Sequence, residues 1–317
     1  MAQHRSTSTK PGLLLLDRFT EATEARFAAT FTVHRSYSVG FSLDAAAASI
    51  KAIATSGAKG APNTVIDLLP VLEIVAIRGV GTDAVDLNHA RRKGVSVTTT
   101  PNLLTDDVAD LAMGLLLACA RRLCEADRFV RDGRWRPGST LPLGRQVTGL
   151  RIGIFGLGRV GRAIAQRAEA FRAEIAYTDV EAFDDVAYRF APTVLELAKD
   201  CDALVLAASG GPQSLRIVDG AVLDALGPQG ILINVARGSL VDEAALVAAL
   251  VERRLGGAGL DVFADEPNVP VDLLNLDHVV LQPHRASATA ETKVAMENLV
   301  LQNLLAHFAG APLVGAV

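Results

Sequence analysis

Residues 152–165 constrain the fold of this 317-residue chain more tightly than any other stretch. An apolar run from Ile152 to Phe155 ends in Gly156-x-Gly158-x-x-Gly161 and passes directly into helix-like spacing. A glycine-rich turn alone says little, but here a strand precedes it, a helix follows it, and a second strand over residues 174–178 comes next. An acid, Asp179, then stands 18 residues beyond Gly161. That is the dinucleotide-binding fingerprint. Gly156 makes the tight turn, Gly158 admits the approach of a pyrophosphate, and Gly161 lets the helix pack on its strand. Arg159 and Val160 open a helix whose free N–H groups and partial positive charge suit phosphate. Asp179 is placed to bind the hydroxyls of a ribose.

A fingerprint of this kind requires a parallel sheet, and the composition agrees. Half of the residues are hydrophobic and only 5% aromatic, which fits strands covered on both faces by helices. The length allows two domains, each with its own core. The net charge of -4, with both signs dispersed, argues against a nucleic-acid surface. Cys119, Cys124 and Cys201 lie in apolar stretches without metal-ligand spacing, so they read as reduced core thiols, with no metal site. Residues 1–10 are polar and read as a disordered lead-in. No apolar run is long enough to span a bilayer. A cytoplasmic protein without membrane association is expected.

Strands are expected over residues 12–17, 31–35, 50–55, 72–78 and 95–100, with helical segments between them. The glycine turn Gly79-Val80-Gly81 follows one strand's C-terminal end, and its amides could hold a carboxylate. A helix is expected from Thr105 to about Arg122, its stripe being core or dimer interface, followed by a loop over residues 132–149. Beyond the fingerprint, strands at 174–178, 202–208, 230–235, 257–263 and 278–281 alternate with helices at 194–200, 219–226 and 243–253. The fold class is therefore α/β, with two Rossmann-like parallel-sheet domains and a cleft between them. A flavodoxin-like substrate-binding domain is expected over 1–98 and 287–317. It is discontinuous because the last helix, 291–309, returns to it. The nucleotide-binding domain is expected over 99–286.

Three polar residues follow strand ends in the second domain: Arg237, Glu266 and His284. The C-terminal edge of such a sheet is where ligands bind. An arginine holds a carboxylate and polarises a carbonyl. A histidine passes a proton to that carbonyl oxygen as hydride arrives, or removes it in reverse. A glutamate beside the histidine favours its charged form.

The motifs Gly79-Val80-Gly81-x-Asp83, Leu104 to Asp110, the glycine fingerprint, Asn234 to Gly238, Gly259 to Phe263 with Glu266-Pro267, and Pro283-His284 together resemble the D-isomer-specific 2-hydroxyacid dehydrogenase family. The likeness runs from about residue 40 to 310. Residues 122–131 and 282–287 are most similar to its glyoxylate/hydroxypyruvate and hydroxyphenylpyruvate reductase branch. The resemblance implies Arg237, Glu266 and His284 as the catalytic trio and Val80 and Gly81, beside Gly79, as the carboxylate-binding turn. It also implies Asp261 at the nicotinamide amide and Thr105 near the nicotinamide ribose phosphate. Val235 and Ala236, at a strand end, complete the expected cofactor contacts. A homodimer joined through the nucleotide domains is implied as well.

The chain also departs from the family pattern. Asp179-Val180 stands where many members of this branch have a small residue and then an arginine suited to the 2′-phosphate of NADP, so NAD is expected over NADP. Arg78 precedes the carboxylate turn and Arg285 follows the catalytic histidine. As substrate contacts, both would favour a second polar or anionic group. The expected activity is NAD(H)-dependent reduction of small 2-oxo acids such as glyoxylate or hydroxypyruvate. The alternatives are a dehydrogenase of another small anion, formate- or phosphite-like, and a non-enzymatic NAD-sensing corepressor.

Overall fold

The computed structural model describes residues 10–317; the lead-in expected over residues 1–10 lies, Lys10 apart, outside them. The chain divides into two compact units, Met1–Leu104 with Thr289–Val317, and Thr105–Ala288. The first opens with β1 (Gly12–Leu15), α1 (Glu21–Thr30), β2 (Thr32–Arg35), α2 (Leu43–Ala46) and β3 (Ile50–Ser56). It continues with α3 (Asn63–Asp67), β4 (Ile74–Arg78), α4 (Leu87–Arg92) and β5 (Ser96–Thr98). The strands form one parallel sheet in the order β2-β1-β3-β4-β5. Successive side chains point to opposite faces, so each apolar run feeds two cores. Leu14, Ile53, Val75 and Ile77 pack with Ile66 and Val85, while Leu13, Leu15, Ala52 and Ile74 pack with Phe27 and Phe31.

The second unit begins with α5 (Thr105–Ala120), α6 (Leu123–Arg131), β6 (Arg151–Phe155), α7 (Arg159–Glu169), β7 (Glu174–Thr178) and β8 (Arg189–Phe190). It then runs through α8 (Val194–Lys199), β9 (Ala203–Leu206), α9 (Gly220–Leu226), β10 (Ile231–Asn234), α10 (Glu243–Val251), β11 (Gly257–Leu260) and β12 (Val279–Leu281). Its sheet is parallel throughout, in the order β12-β11-β10-β9-β6-β7-β8. The chain leaves β6 toward β7 and later returns to its other side with β9. That reversal is the switch point where doubly wound sheets bind ligands. The apolar stripe of α5 is core: Val108, Ala112, Leu115 and Leu116 are buried.

The last helix, α11 (Ala290–Phe308), belongs to the first unit, where Val300, Leu301 and Leu304 complete the face containing Phe27. Residues 99–104 also go with the first unit rather than the second. The Thr99 and Thr100 amides donate to the carbonyls of Gly315 and Gly79 at 2.9 and 2.8 Å. The helix expected to continue to Arg122 stops at Ala120, because Arg122 adopts a left-handed φ of 54° and a separate α6 begins. Cys119, Cys124 and Cys201 are free thiols. Burial pushes Cys119 and Cys201 up to about 12. Among the described residues no acidic, histidine or cysteine cluster could hold a metal, and no helix is long and apolar enough to cross a membrane.

Candidate active site

The glycine turn sits at the C-terminal end of β6, at the switch point. Gly156 has a φ of 92°, and a Cβ there would lie 2.5 Å from the Ala208 Cα, so a side chain is excluded by conformation and by space. A Cβ on Gly161 would lie 2.0 Å from the Gly156 carbonyl oxygen, which fixes how closely α7 approaches its strand. The space over Gly158 is open among the described residues, and Gly158, at the N-cap of α7, has no side chain to bind the first amides. The start of a helix beside open space suits a pyrophosphate. Asp179, just past β7, binds the turn itself: its carboxylate accepts from Leu157 N at 2.7 Å and from Val180 N at 2.8 Å. Val180 is almost fully exposed. These residues fit a dinucleotide. Thr105 opens α5, which packs on α7 through the Asp106 and Asp110 ion pairs with Arg167. Arg159 and Val160 open α7, and Val235 and Ala236 are buried just past β10.

The three expected catalytic side chains follow β10, β11 and β12 at the same edge of the sheet. Arg237 is held by Asn234, the buried polar end of an otherwise apolar strand. The Asn234 side chain accepts from Ala236 N at 3.1 Å and donates to the Arg237 carbonyl at 2.9 Å, closing the turn on both sides. The Arg237 guanidinium donates to the Ala236 carbonyl at 2.7 Å. Glu266 accepts from Phe263 N at 3.1 Å through one carboxylate oxygen. The other oxygen lies 2.6 Å from His284 Nδ1. An ionised carboxylate only accepts, so Nδ1 carries the proton and Nε2 is the ring nitrogen not engaged by Glu266. The His284 side chain is 43% exposed.

The backbone at His284 is left-handed, with a φ of 48°, a conformation that a non-glycine residue keeps only when its surroundings enforce it. Asp261 supplies the enforcement. Its carbonyl accepts from His284 N at 2.8 Å, and its two carboxylate oxygens accept from Arg285 N at 2.8 Å and Ala286 N at 2.9 Å. The Asp261 carboxyl is fully buried. Burial holds it above the usual carboxylate range, against the pull of those two amides. The resemblance implies Asp261 only as a nicotinamide contact; the structure adds its clamp on the histidine loop. The only hint in the sequence is an acid at the end of an apolar strand.

In the first unit, Gly79 has a φ of 133°. Its N–H donates to Thr100 Oγ1 at 2.9 Å. The amides of the next residues, Val80 and Gly81, make no hydrogen bond among the described residues. The two arginines expected as substrate contacts differ in their surroundings. The Arg285 side chain is exposed and has no partner among the described residues. The Arg78 guanidinium instead donates to Asp17 at 3.2 Å, Glu297 at 3.0 Å and the Arg18 carbonyl at 3.0 Å.

A glycine turn at a switch point, with an Arg, a Glu and a His at the ends of three later strands, points to one family. The family model for the NAD-binding domain of D-isomer-specific 2-hydroxyacid dehydrogenases matches residues 113–286. The chain belongs to this family. As a member it is an NAD(P)-dependent oxidoreductase of 2-hydroxy acids. The dehydrogenase is 46% identical over 301 residues to a 2-ketogluconate reductase of Gluconobacter oxydans, covering 95% of this chain and 96% of that one. It is 51% identical over 269 residues to a glyoxylate/hydroxypyruvate reductase of Arabidopsis thaliana, covering 85% and 86%. A crystal structure of an NADPH-dependent glyoxylate/hydroxypyruvate reductase from Sinorhizobium meliloti, in complex with NADP and malonate, superposes with a TM-score of 0.91. It is 41% identical and the match covers 98% of this chain and 97% of that one. These relatives do not favour the formate-like, phosphite-like or corepressor readings.

Proposed function

We propose that the dehydrogenase reduces short 2-oxo acids carrying a polar tail, such as hydroxypyruvate or glyoxylate, with NADH as the preferred cofactor. The observation that carries this is the His284–Glu266 pair at 2.6 Å, on a loop clamped by Asp261 and at the edge that carries the dinucleotide turn. Gly156, Gly158, Gly161 and the start of α7 would hold the pyrophosphate, Asp179 the adenine ribose, and Thr105, Val235, Ala236 and Asp261 the nicotinamide end. When bound, the nicotinamide supplies or accepts the hydride.

The rest of the chemistry belongs to the chain's own side chains. Val80 N and Gly81 N bind the substrate carboxylate. Arg237 holds the carboxylate and carbonyl and polarises the C=O bond toward oxygen. His284 donates the proton on Nε2 to that oxygen, and the product is an alcohol. Glu266 keeps its bond to Nδ1–H throughout and so fixes the ring. In the oxidation direction neutral His284 takes the hydroxyl proton back.

Two features support the finer assignments. A carboxylate at Asp179, followed by exposed Val180, repels a 2′-phosphate and offers it no cation, which favours NAD. The exposed Arg285 beside His284 suits a hydroxylated or anionic tail, and the named activity of the Gluconobacter relative extends this to a polyhydroxylated 2-oxo acid as a second reading. A cytoplasmic homodimer joined through the second unit goes with this function. It is supported by the exposed apolar side chains Leu123, Val130, Trp135 and Leu143. The test is a panel of glyoxylate, hydroxypyruvate, pyruvate, phenylpyruvate and 2-ketogluconate with NADH and with NADPH, read as loss of reduced-cofactor absorbance. Faster turnover of phenylpyruvate than of hydroxypyruvate would contradict the polar-tail assignment.

A further inference from the structure

The Gly79–Gly81 turn is fastened at its start by a buried ion-pair network that reaches into the C-terminal helix. Arg78, the last residue of β4, has a side chain only 15% exposed, and Glu297 of α11 is fully buried. One Arg78 nitrogen donates to Glu297 and to the Arg18 carbonyl at 3.0 Å each, and the other donates to Asp17 at 3.2 Å. The guanidinium also stacks over the Phe19 ring, 4.9 Å from its centroid. Glu297 accepts from the Thr20 backbone N–H at 3.2 Å. Burial pushes its carboxyl up, but the bonds from Thr20 and Thr23 and the charge of Arg78 hold it below the usual carboxylate range. Glu297 is therefore a charged anchor. On the main-chain side, Gly57 N donates to the Arg78 carbonyl at 3.2 Å, and Thr100 holds both the Gly79 N–H and its carbonyl. A left-handed glycine, followed by two amides without partners among the described residues, is thus held by residues distant in sequence.

We infer that Arg78 and Glu297 are positioning residues for the substrate carboxylate, acting through the Val80 and Gly81 amides rather than by touching the substrate. This rests on the function proposed above, and it replaces direct contact by Arg78 with an indirect role. The physical reason is preorganisation: a rigid pair of N–H donors binds an anion without first having to be ordered. The carboxylate is common to every 2-oxo acid, so loosening the turn weakens all of them alike. A direct contact with the tail would instead discriminate among tails.

The experiment compares wild type, Glu297→Gln and Arg78→Met with glyoxylate, pyruvate and hydroxypyruvate at saturating NADH. Glu297→Gln preserves shape and the bond to Thr20, so it tests the idea even if Arg78→Met, which leaves a buried carboxylate unpaired, fails to fold. Both variants are expected to raise KM for all three substrates by the same factor, about tenfold, as displacement of a positioning element does. Effects on kcat are expected to be smaller, and NADH affinity, measured by fluorescence titration, to be unchanged. Arg78→Lys should recover part of the loss, since an ammonium still reaches one of the two carboxylates. A loss confined to hydroxypyruvate would mean that Arg78 touches the tail, and unchanged KM values would mean that the network is structural only; either overturns the inference. Wild-type enzyme inactive on all three substrates would overturn the proposed function, and the inference with it.

Discussion

Asp261 and His284 are joined through the backbone: the His284 N–H donates to the Asp261 carbonyl at 2.8 Å, and the Asp261 carboxylate takes the next two amides. His284 owes its left-handed conformation to an aspartate on the neighbouring strand's end. Position and ring orientation thus have separate sources, Asp261 fixing the backbone and Glu266 the imidazole.

Asp261→Ala would leave the buried Ala286 amide unsatisfied, at a cost of about 1–3 kcal/mol, and would also release the part-buried Arg285 amide. It should lower Tm and, by releasing His284, lower kcat as well. Asp261→Asn, which keeps one acceptor oxygen, should fall between. Thermal denaturation alongside initial rates checks this; a variant matching wild type in both would show that the clamp is dispensable.

Cofactor choice should follow Asp179. Wild type is expected to show higher kcat/KM with NADH than with NADPH. Asp179→Ser combined with Val180→Arg should reverse the order by removing the repulsion and supplying a cation for the 2′-phosphate. An equal or greater kcat/KM with NADPH in wild type would refute the assignment.

Arg285→Ala should narrow the advantage of hydroxypyruvate over phenylpyruvate. An exposed charge contributes modestly, so the change in the ratio of kcat/KM values should be about two- to fivefold. A ratio that does not move would place the origin of tail selectivity in pocket shape.

A pH dependence of stability follows from Asp202, which precedes β9 and joins it to the start of β6. Its carboxylate takes Arg145 at 2.8 Å, the Arg151 side chain at 2.9 Å and the Arg151 N–H at 2.9 Å. Burial pushes the carboxyl up, but these bonds outweigh it and hold it far below its ordinary 3.8. Because the folded value is depressed, the stabilisation is fully present above the ordinary carboxylate range and lost as pH falls through the folded value. Asp202→Asn should therefore destabilise the enzyme at neutral pH and flatten the acid limb of its denaturation curve. Identical acid limbs in the two proteins would contradict this.

What the sequence made legible is what depends on short spacing. Apolar runs alternating with helical stripes place β6, β7 and β9 to β12, while the two-residue β8 lies in a polar segment that gives no such signal; the fingerprint with Asp179 spans a single strand–helix–strand unit. That Arg237, Glu266 and His284 share one edge of the sheet could be read because each stands shortly after an apolar run. The features that escaped depend on partners far along the chain. Glu297 meets Arg78 across 219 residues, and Asp261 meets Arg285 across 24; no local pattern encodes either. The helix end expected near Arg122 falls at Ala120, and what escaped is α6, which begins directly beyond Arg122. The allegiance of residues 99–104 is set by hydrogen bonds to Gly79 and Gly315 rather than by composition.

The most direct test of the catalytic assignment is kcat for hydroxypyruvate reduction at saturating NADH in wild type and His284→Ala, with NADH affinity measured in parallel. Loss of a general acid should lower kcat by about 10²–10⁴-fold and leave NADH binding unchanged. A His284→Ala enzyme that keeps more than about half of the wild-type rate, far outside that range, would show that this histidine does not carry the proton.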